Sequence, residues 1–321
     1  MPDKQSTRVL IVALSKGKYL AEIARIVGER AEIGFLGLDS LACGLSCEFV
    51  RRINKSDVLD VAEHLKRAAD EFKPDRIMPF GDIAAWFLRG IAPMPLIEKS
   101  LGDPTFYRTV ISRRAFTNNL RSSGVPSPRA RAPLDFPFMI KSEQTAGGFG
   151  VARVDSFADL WRYALRHGLS YPFKRRLRSI ALGWHDIWAP QGFELQEVID
   201  GIPAAYTAAA QDGQMLYGKG YGGVLVPHPD GYTETWHTEP ISAYHEKLMA
   251  LSSSRAIKAL RISGFVSFDF MVEHDRAVMI ECNPRLMQAP FILDDGAIGR
   301  KMTAAWLDPQ PQMEAAYQYI A

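Results

Sequence analysis

Phe268-Asp269-Phe270-Met271, followed closely by Val278-Met279-Ile280-Glu281-Cys282-Asn283-Pro284-Arg285, sets charged residues inside two strongly apolar runs. Each run has the composition of a strand, and Glu273-His274-Asp275-Arg276 between them is polar enough to turn the chain. An antiparallel hairpin is the simplest reading. A two-residue period puts Glu281, Asn283 and Arg285 on one face. Asp269 and Glu281 are an even number of residues apart, so Asp269 joins that face of the paired strand if the connecting loop holds an odd number of residues. Two carboxylates and an amide then converge where burying charge is costly.

An isolated buried carboxylate is unfavourable, so oxygen ligands gathered this way need a metal ion or a cationic side chain among them. Hard oxygen donors suit magnesium or manganese, which take one or two protein carboxylates and leave other positions to water and phosphates. Asp269, Glu281 and Asn283 fit such a set, and Arg285 has the fork geometry to hold a phosphate or carboxylate bidentately. The same residues also fit a structural ion-pair cluster in which Arg285 neutralises Asp269 and Glu281 without any metal. The hairpin alone leaves both readings open.

The rest of the chain narrows the class. Its 321 residues are 47% hydrophobic and 23% charged with a net charge of +2, the balance of a soluble globular protein of two or three packed units. That balance gives no electrostatic argument for nucleic acid or a membrane surface, and no apolar run approaches the roughly 20 residues of a membrane span. Three cysteines, and an N-terminus without a secretory apolar region, fit a reducing cytoplasm. Cys43 and Cys47 have no nearby histidine partners to make a metal site, and His228, His237 and His245 lack zinc-site spacing.

From Arg8 to about Leu101 the pattern is βαβ. Val9–Leu14 and Ile33–Leu36 read as strands around a helix from Leu20 to Val27. A longer helix spans Val58 to Phe72, and Pro74 ends it before the strand Arg76–Phe80. Parallel strands joined by helices imply an open, doubly wound sheet that binds ligands beyond the carboxyl ends of its strands. Those ends carry Ser15-Lys16-Gly17-Lys18, either an anion site or a solvated turn, and Phe80-Gly81-Asp82, where Asp82 is expected to cap a helix from Ile83 to Leu88.

Pro-rich Ala92–Pro95 and the turn Gly102-Asp103-Pro104 open a new unit, whose first helix is expected over Thr109–Ser122. The strand Pro137–Lys141 then leads into Thr145-Ala146-Gly147-Gly148-Phe149-Gly150 and a returning strand, Val151–Val154. Glycines let backbone N–H groups approach phosphate oxygens and the lysine supplies a point charge, so the segment reads as a hairpin closing over a nucleotide, or as a plain turn. It is not a P-loop, because the lysine precedes the glycines. Phe193–Gly201 reads as a strand, Asp212-Gly213 as a tight hairpin turn, and Ser242–Leu260 as a helix.

Taken in order, the βαβ unit, Lys141 with its Gly-rich loop, Gln196-Glu197-Val198-Ile199 and the Asp269–Arg285 hairpin resemble the ATP-grasp superfamily over nearly the whole chain. Ile280–Arg285 is similar to that family's metal-binding strand, the most specific of these signals. The resemblance implies an α/β protein with an N-terminal Rossmann-like domain at 1–104 and two α+β subdomains, at 105–195 with the Gly-rich lid and at 196–321 with the metal hairpin. It implies ATP with magnesium or manganese as cofactors. Lys141 and, more loosely, Arg113 would meet the phosphates under a lid of Gly147, Gly148 and Gly150. Gln196, Glu197 and Val198 would lie along the adenine, and Asp269, Glu281 and Asn283 would hold metal. Arg285, with Lys141, would serve the reacting groups. The family's ribose-binding glutamate has no counterpart in Gly201–Ala205, where Asp200 is a weak substitute, and Phe149 stands where some relatives have glycine.

The implied activity is an ATP-dependent ligase that converts a carboxylate, such as an amino acid or small acid, to an acylphosphate and joins it to an amine. Partners are then small molecules rather than nucleic acid or membrane, and the N-terminal helices offer a surface for a homodimer. Three rivals are a kinase acting on a hydroxyl, a bicarbonate-using carboxylase, for which no biotin-carrier segment is present, and a degenerate nucleotide-binding module. The run Lys174–Arg178 reads as a solvated face, and Trp184, Trp188 and Trp236 as packing residues.

Overall fold

The computed structural model describes residues 6–14, 19–38, 45–54, 60–90, 94–142, 151–165, 193–227, 233–239, 241–287 and 289–309. Strands β1 (Thr7–Ala13), β2 (Ala31–Leu38), β3 (Phe49–Ile53) and β4 (Arg76–Phe80) form a parallel sheet in the order β3-β2-β1-β4. Helices α1 (Leu20–Gly28) and α2 (Val61–Phe72) connect them, and α3 (Gly81–Gly90) and α4 (Pro95–Leu101) follow β4. The unbroken apolar run of β1 reflects cover on both faces. Val9 and Ile11 pack with Ile23 and Ile26, while Leu10 and Val12 pack with Leu65, Ala68 and Leu88.

The expected helix over Thr109–Ser122 is two helices. Asp103 caps α5 (Pro104–Ile111) by accepting from the Thr105 amide at 2.7 Å. Ser112 then adopts an extended conformation and caps α6 (Arg113–Ser122) by accepting from the Ala115 amide at 3.3 Å. A serine that satisfies an orphan amide of the next helix starts a new one more readily than it continues the old one. Of the expected Val58–Phe72 helix, Val61–Phe72 forms, Asp60 precedes its first turn, and Val58 and Leu59 lie outside the described set.

A second sheet joins β5 (Phe138–Ser142), β6 (Val151–Val154) and β7 (Phe193–Glu197) in the order β6-β5-β7, all antiparallel. Phe138, Ile140 and Val154 bury against Tyr163 at the end of α7 (Phe157–Tyr163), which leaves Met139, Lys141, Glu194 and Gln196 for the opposite face. The returning strand after the Gly-rich loop is therefore present as β6. Gly147, Gly148, Phe149 and Gly150 lie outside the described residues, as do Ser15–Lys18, Lys174–Arg178, Trp184, Trp188 and His228.

The third sheet is antiparallel, in the order β10-β9-β8-β11-β12, with β8 (Ile202–Gln211), β9 (Gln214–Pro227), β10 (Thr233–Glu239), β11 (Gly264–Val272) and β12 (Ala277–Asn283). Asp212 and Gly213 make its tightest turn, both at positive φ (50° and 82°), a backbone that favours glycine at the second position. Tyr206, Ala208, Phe268 and Phe270 point into a core with Met249 and Ile257 of α8 (Ala243–Leu260), whose cap is Ser242. On the opposite face Phe265 meets Trp306 of α10 (Ala297–Leu307; α9 is Ala289–Ile292), and Trp306 belongs to the same core as β1 and α1. This shared core fixes the hairpin β11–β12 against the carboxyl ends of the parallel strands. Leu286, just beyond β12, makes a parallel bridge to Phe80 at the end of β4.

Candidate active site

The hairpin forms, but a bulge rather than an odd-length loop brings Asp269 opposite Glu281. Four residues, Glu273–Arg276, connect Val272 to its partner Ala277, and an even loop would pair Asp269 with Ile280. A register shift between Asp269 and Phe270 makes Ile280 the extra residue, so Asp269 faces Glu281 and Ser267 faces Asn283. A β-bulge of this kind re-aims side chains next to a site. Here it turns both carboxylates to the face away from Phe268 and Phe270.

These residues close one wall of a cavity of about 480 Å³. Its lining includes Asp269, Glu281, Asn283 and Arg285 from the hairpin, Lys141 from β5, Gln196, Glu197 and Val198 from β7 and its end, and Arg113 from α6. Every described residue assigned to the site from sequence therefore meets in one place, in a volume typical of a small-ligand pocket. Apolar side chains (Pro128, Met139, Ile199, Pro203, Ala204) line the same space. Asp200 is absent from the lining and pairs at the surface with Arg153 at 3.4 Å.

Charge is unevenly satisfied here. Asn283 donates its amide to Asp269 Oδ2 at 3.0 Å, while Asp269 Oδ1 is buried with no hydrogen-bond partner. Arg113 Nη2 lies 3.3 Å from Glu281 Oε1. Burial, reinforced by the facing Glu281, pushes the Asp269 carboxyl up to about 7, against the pull of Arg285, Asn283 and Lys141. Two facing carboxylates with an orphaned oxygen and a neighbouring amide are the donor set a hard divalent cation satisfies, so the residues fit magnesium or manganese. Among the described residues, no three or more histidine, cysteine and carboxylate side chains gather around a common point, so the amide of Asn283 is needed to complete the set.

Lys141 is only 6% exposed. Burial, with help from Arg113, pushes its ammonium down to about 8, and Glu281, Glu194 and Asp269 oppose the shift. Gln196 is buried, its amide nitrogen 3.5 Å from Thr117 Oγ1 and its oxygen without a partner. Glu197 accepts from the Arg129 amide at 3.1 Å and returns its own amide to Arg129 O, so its carboxylate is fixed at the cavity edge.

Asp82 does not cap a helix from Ile83. The helix begins at Gly81, whose φ of 81° turns the chain out of β4, and the Asp82 carboxylate accepts from Arg285 Nε. Burial would lower Arg285, but Asp82, Asp269 and Glu281 outweigh it and hold the guanidinium above its ordinary value. Glu194 is a second residue the sequence reading passed over. It pairs in register with Lys141 and keeps one buried carboxylate oxygen unpartnered. Its position two residues before Gln196, on the same strand face, was the available signal.

No family model matches the chain, and no curated protein matches its sequence. Solved structures do. An L-amino acid ligase from Bacillus licheniformis superposes with a TM-score of 0.63 at 14% identity, covering 92% of this chain and 74% of its own. A biotin carboxylase from Campylobacter jejuni, solved as a βγ-ATP complex, gives 0.67 at 12% identity and covers 95% of this chain and 72% of its own. The biotin carboxylase domain of a Hydrogenobacter thermophilus 2-oxoglutarate carboxylase, a dimer with MgADP, ADP and bicarbonate, gives 0.61 at 12%, covering 92% and 68%. At these identities the likeness is one of fold.

Proposed function

We propose that this chain, which has the ATP-grasp fold, is an ATP-dependent ligase that activates a carboxylate as an acylphosphate and joins it to an amine. The observation that carries this reading is the meeting of Lys141, Arg113 and Arg285 with the under-neutralised Asp269–Glu281 pair around one cavity. Phosphoryl transfer asks for alignment and charge neutralisation more than for a protein nucleophile, and these side chains supply both.

In this reading Lys141 and Arg113 hold the ATP phosphates, and Gly147, Gly148 and Gly150 cover them. Gln196, Glu197 and Val198 line the adenine. Asp269, Glu281 and Asn283 would hold the metal, which neutralises phosphate charge when bound. Arg285 orients the acid. A carboxylate oxygen attacks the γ-phosphorus as the bond to ADP breaks, and the amine then attacks the acyl carbon, losing a proton and expelling phosphate. A closed site protects the acylphosphate from water.

The proposed units remain 1–104, 105–195 and 196–321, and β7 runs across the second boundary because it is hydrogen-bonded to β5. Among the described residues no helix is long and apolar enough to cross a membrane. The free thiols of Cys47 and Cys282 support the proposal of a cytoplasmic setting.

ADP and phosphate release from Mg-ATP, measured with pooled amino acids and small carboxylic acids, tests the reading. Release that depends on the acid is the expected result. A stable phosphoester product would instead identify a kinase, and tight Mg-ATP binding without turnover in any pool would favour a kinase with an untested hydroxyl substrate or a nucleotide-binding module.

A further inference from the structure

Arg285, two residues beyond the end of β12, lines the same cavity as Glu281 and Asn283, beside two carboxylates, one of which has a buried oxygen without a partner. A guanidinium so placed would ordinarily fork onto those carboxylates. That arrangement is the metal-free ion-pair cluster the sequence allowed. The structure has a different pairing. Among the described residues Arg285 makes its ion pair with Asp82 and none with Asp269 or Glu281.

Asp82 is well fixed for this purpose. The bridge between Phe80 and Leu286 ties the end of β4 to the residue after Arg285. Gly81 turns the chain, and Asp82 follows in the first turn of α3. Arg285 is 18% exposed and Asp82 33%, so their ion pair is partly shielded from solvent. We infer that Asp82 is a positioning residue: it draws Arg285 away from the Asp269–Glu281 pair, where Arg113 already meets Glu281 Oε1, and so keeps the unpartnered Asp269 Oδ1 open for a divalent cation.

The inference rests on the proposed metal role of the hairpin and adds to it a residue from the helix that follows β4. Asp82 touches neither metal nor substrate in this account; it acts through Arg285. Its removal frees the guanidinium to turn to Asp269 Oδ1, an unpartnered carboxylate oxygen in the same cavity, and Arg285 then neutralises the site that a metal would occupy.

Mn2+ titration of the nucleotide-free protein, followed by water-proton relaxation, reads this without any turnover. Wild type, Asp82→Asn, Asp82→Glu, Arg285→Gln and the Asp82→Asn/Arg285→Gln double variant are compared below the melting transition of the least stable. Asp82→Asn is expected to weaken Mn2+ binding by about tenfold or more, the usual effect of removing a residue that orients a metal site. In the Arg285→Gln background the same substitution is expected to have no effect, and Asp82→Glu to keep wild-type binding. Unchanged Mn2+ affinity in Asp82→Asn overturns the inference, and so does an equal loss with Arg285 already removed. If wild type itself binds no Mn2+, the metal site fails first, and the proposed function with it.

Discussion

Glu281→Gln is expected to lower acid-dependent ADP release by about 10³-fold, the scale of losing a group that stabilises charge during transfer. The substitution keeps the size of the side chain and an oxygen that can still accept from Arg113, now 3.3 Å from Glu281 Oε1. It removes one of two facing negative charges, so the repulsion that helps push Asp269 up to about 7 disappears. The metal-free fold should therefore be no less stable, and a melting curve at neutral pH checks this. Steady-state ADP release under saturating Mg-ATP is the readout. Turnover close to wild type would remove Glu281 from the reaction.

Lys141→Met carries the second large effect. A buried ammonium that meets a phosphate makes a charge-assisted contact of roughly 1.5–3 kcal/mol, so ATP binding should weaken by about 10- to 100-fold. The apolar replacement avoids burying a charge, and the fold should tolerate it. The pH dependence is the sharper test. Without nucleotide Lys141 sits at about 8, so its charged form prevails below that value and is lost above it. Phosphate favours the charged form and raises its pKa, so ATP binding by wild type takes up protons and weakens as pH rises through about 8. The Met variant should lose that dependence. Calorimetry at pH 7 and 9, in buffers of different ionisation enthalpy, measures both quantities, and an unchanged pH slope in the variant would assign the effect to another group.

Much of the fold could be read from local pattern. β1 and β4 show as apolar runs because both their faces are covered, and the Asp212-Gly213 turn shows because few residues accept its two positive φ values. The charged hairpin was legible for the opposite reason, since polar residues inside apolar strands need partners. What escaped was non-local. Asp82 and Arg285 are 203 residues apart, and nothing near Asp82 distinguishes a helix cap from an ion-pair partner brought to it by the packing of two sheets. The bulge at Ile280 was hidden because strand periodicity gives parity but not the loop and bulge that together satisfy it. The break at Ser112 lay inside a segment with helical periodicity on both sides, and the cap chemistry of one serine decided it.

The site residues fared unevenly for the same reason. Lys141, Gln196 and the hairpin set were visible one strand at a time, whereas Glu194 becomes significant only once β5 and β7 are paired and it faces Lys141. The Gly-rich segment, Gly147 to Gly150, lies outside the described residues, so its proposed role over the phosphates rests on the sequence.

Carboxylate activation can be followed by the fate of one atom. Amino acids and small acids labelled with oxygen-18 in the carboxylate are incubated with Mg-ATP and an amine, and the released phosphate is weighed by mass spectrometry. An acylphosphate predicts phosphate carrying one labelled oxygen, in step with ADP. Unlabelled phosphate alongside acid-dependent ADP release would contradict the account.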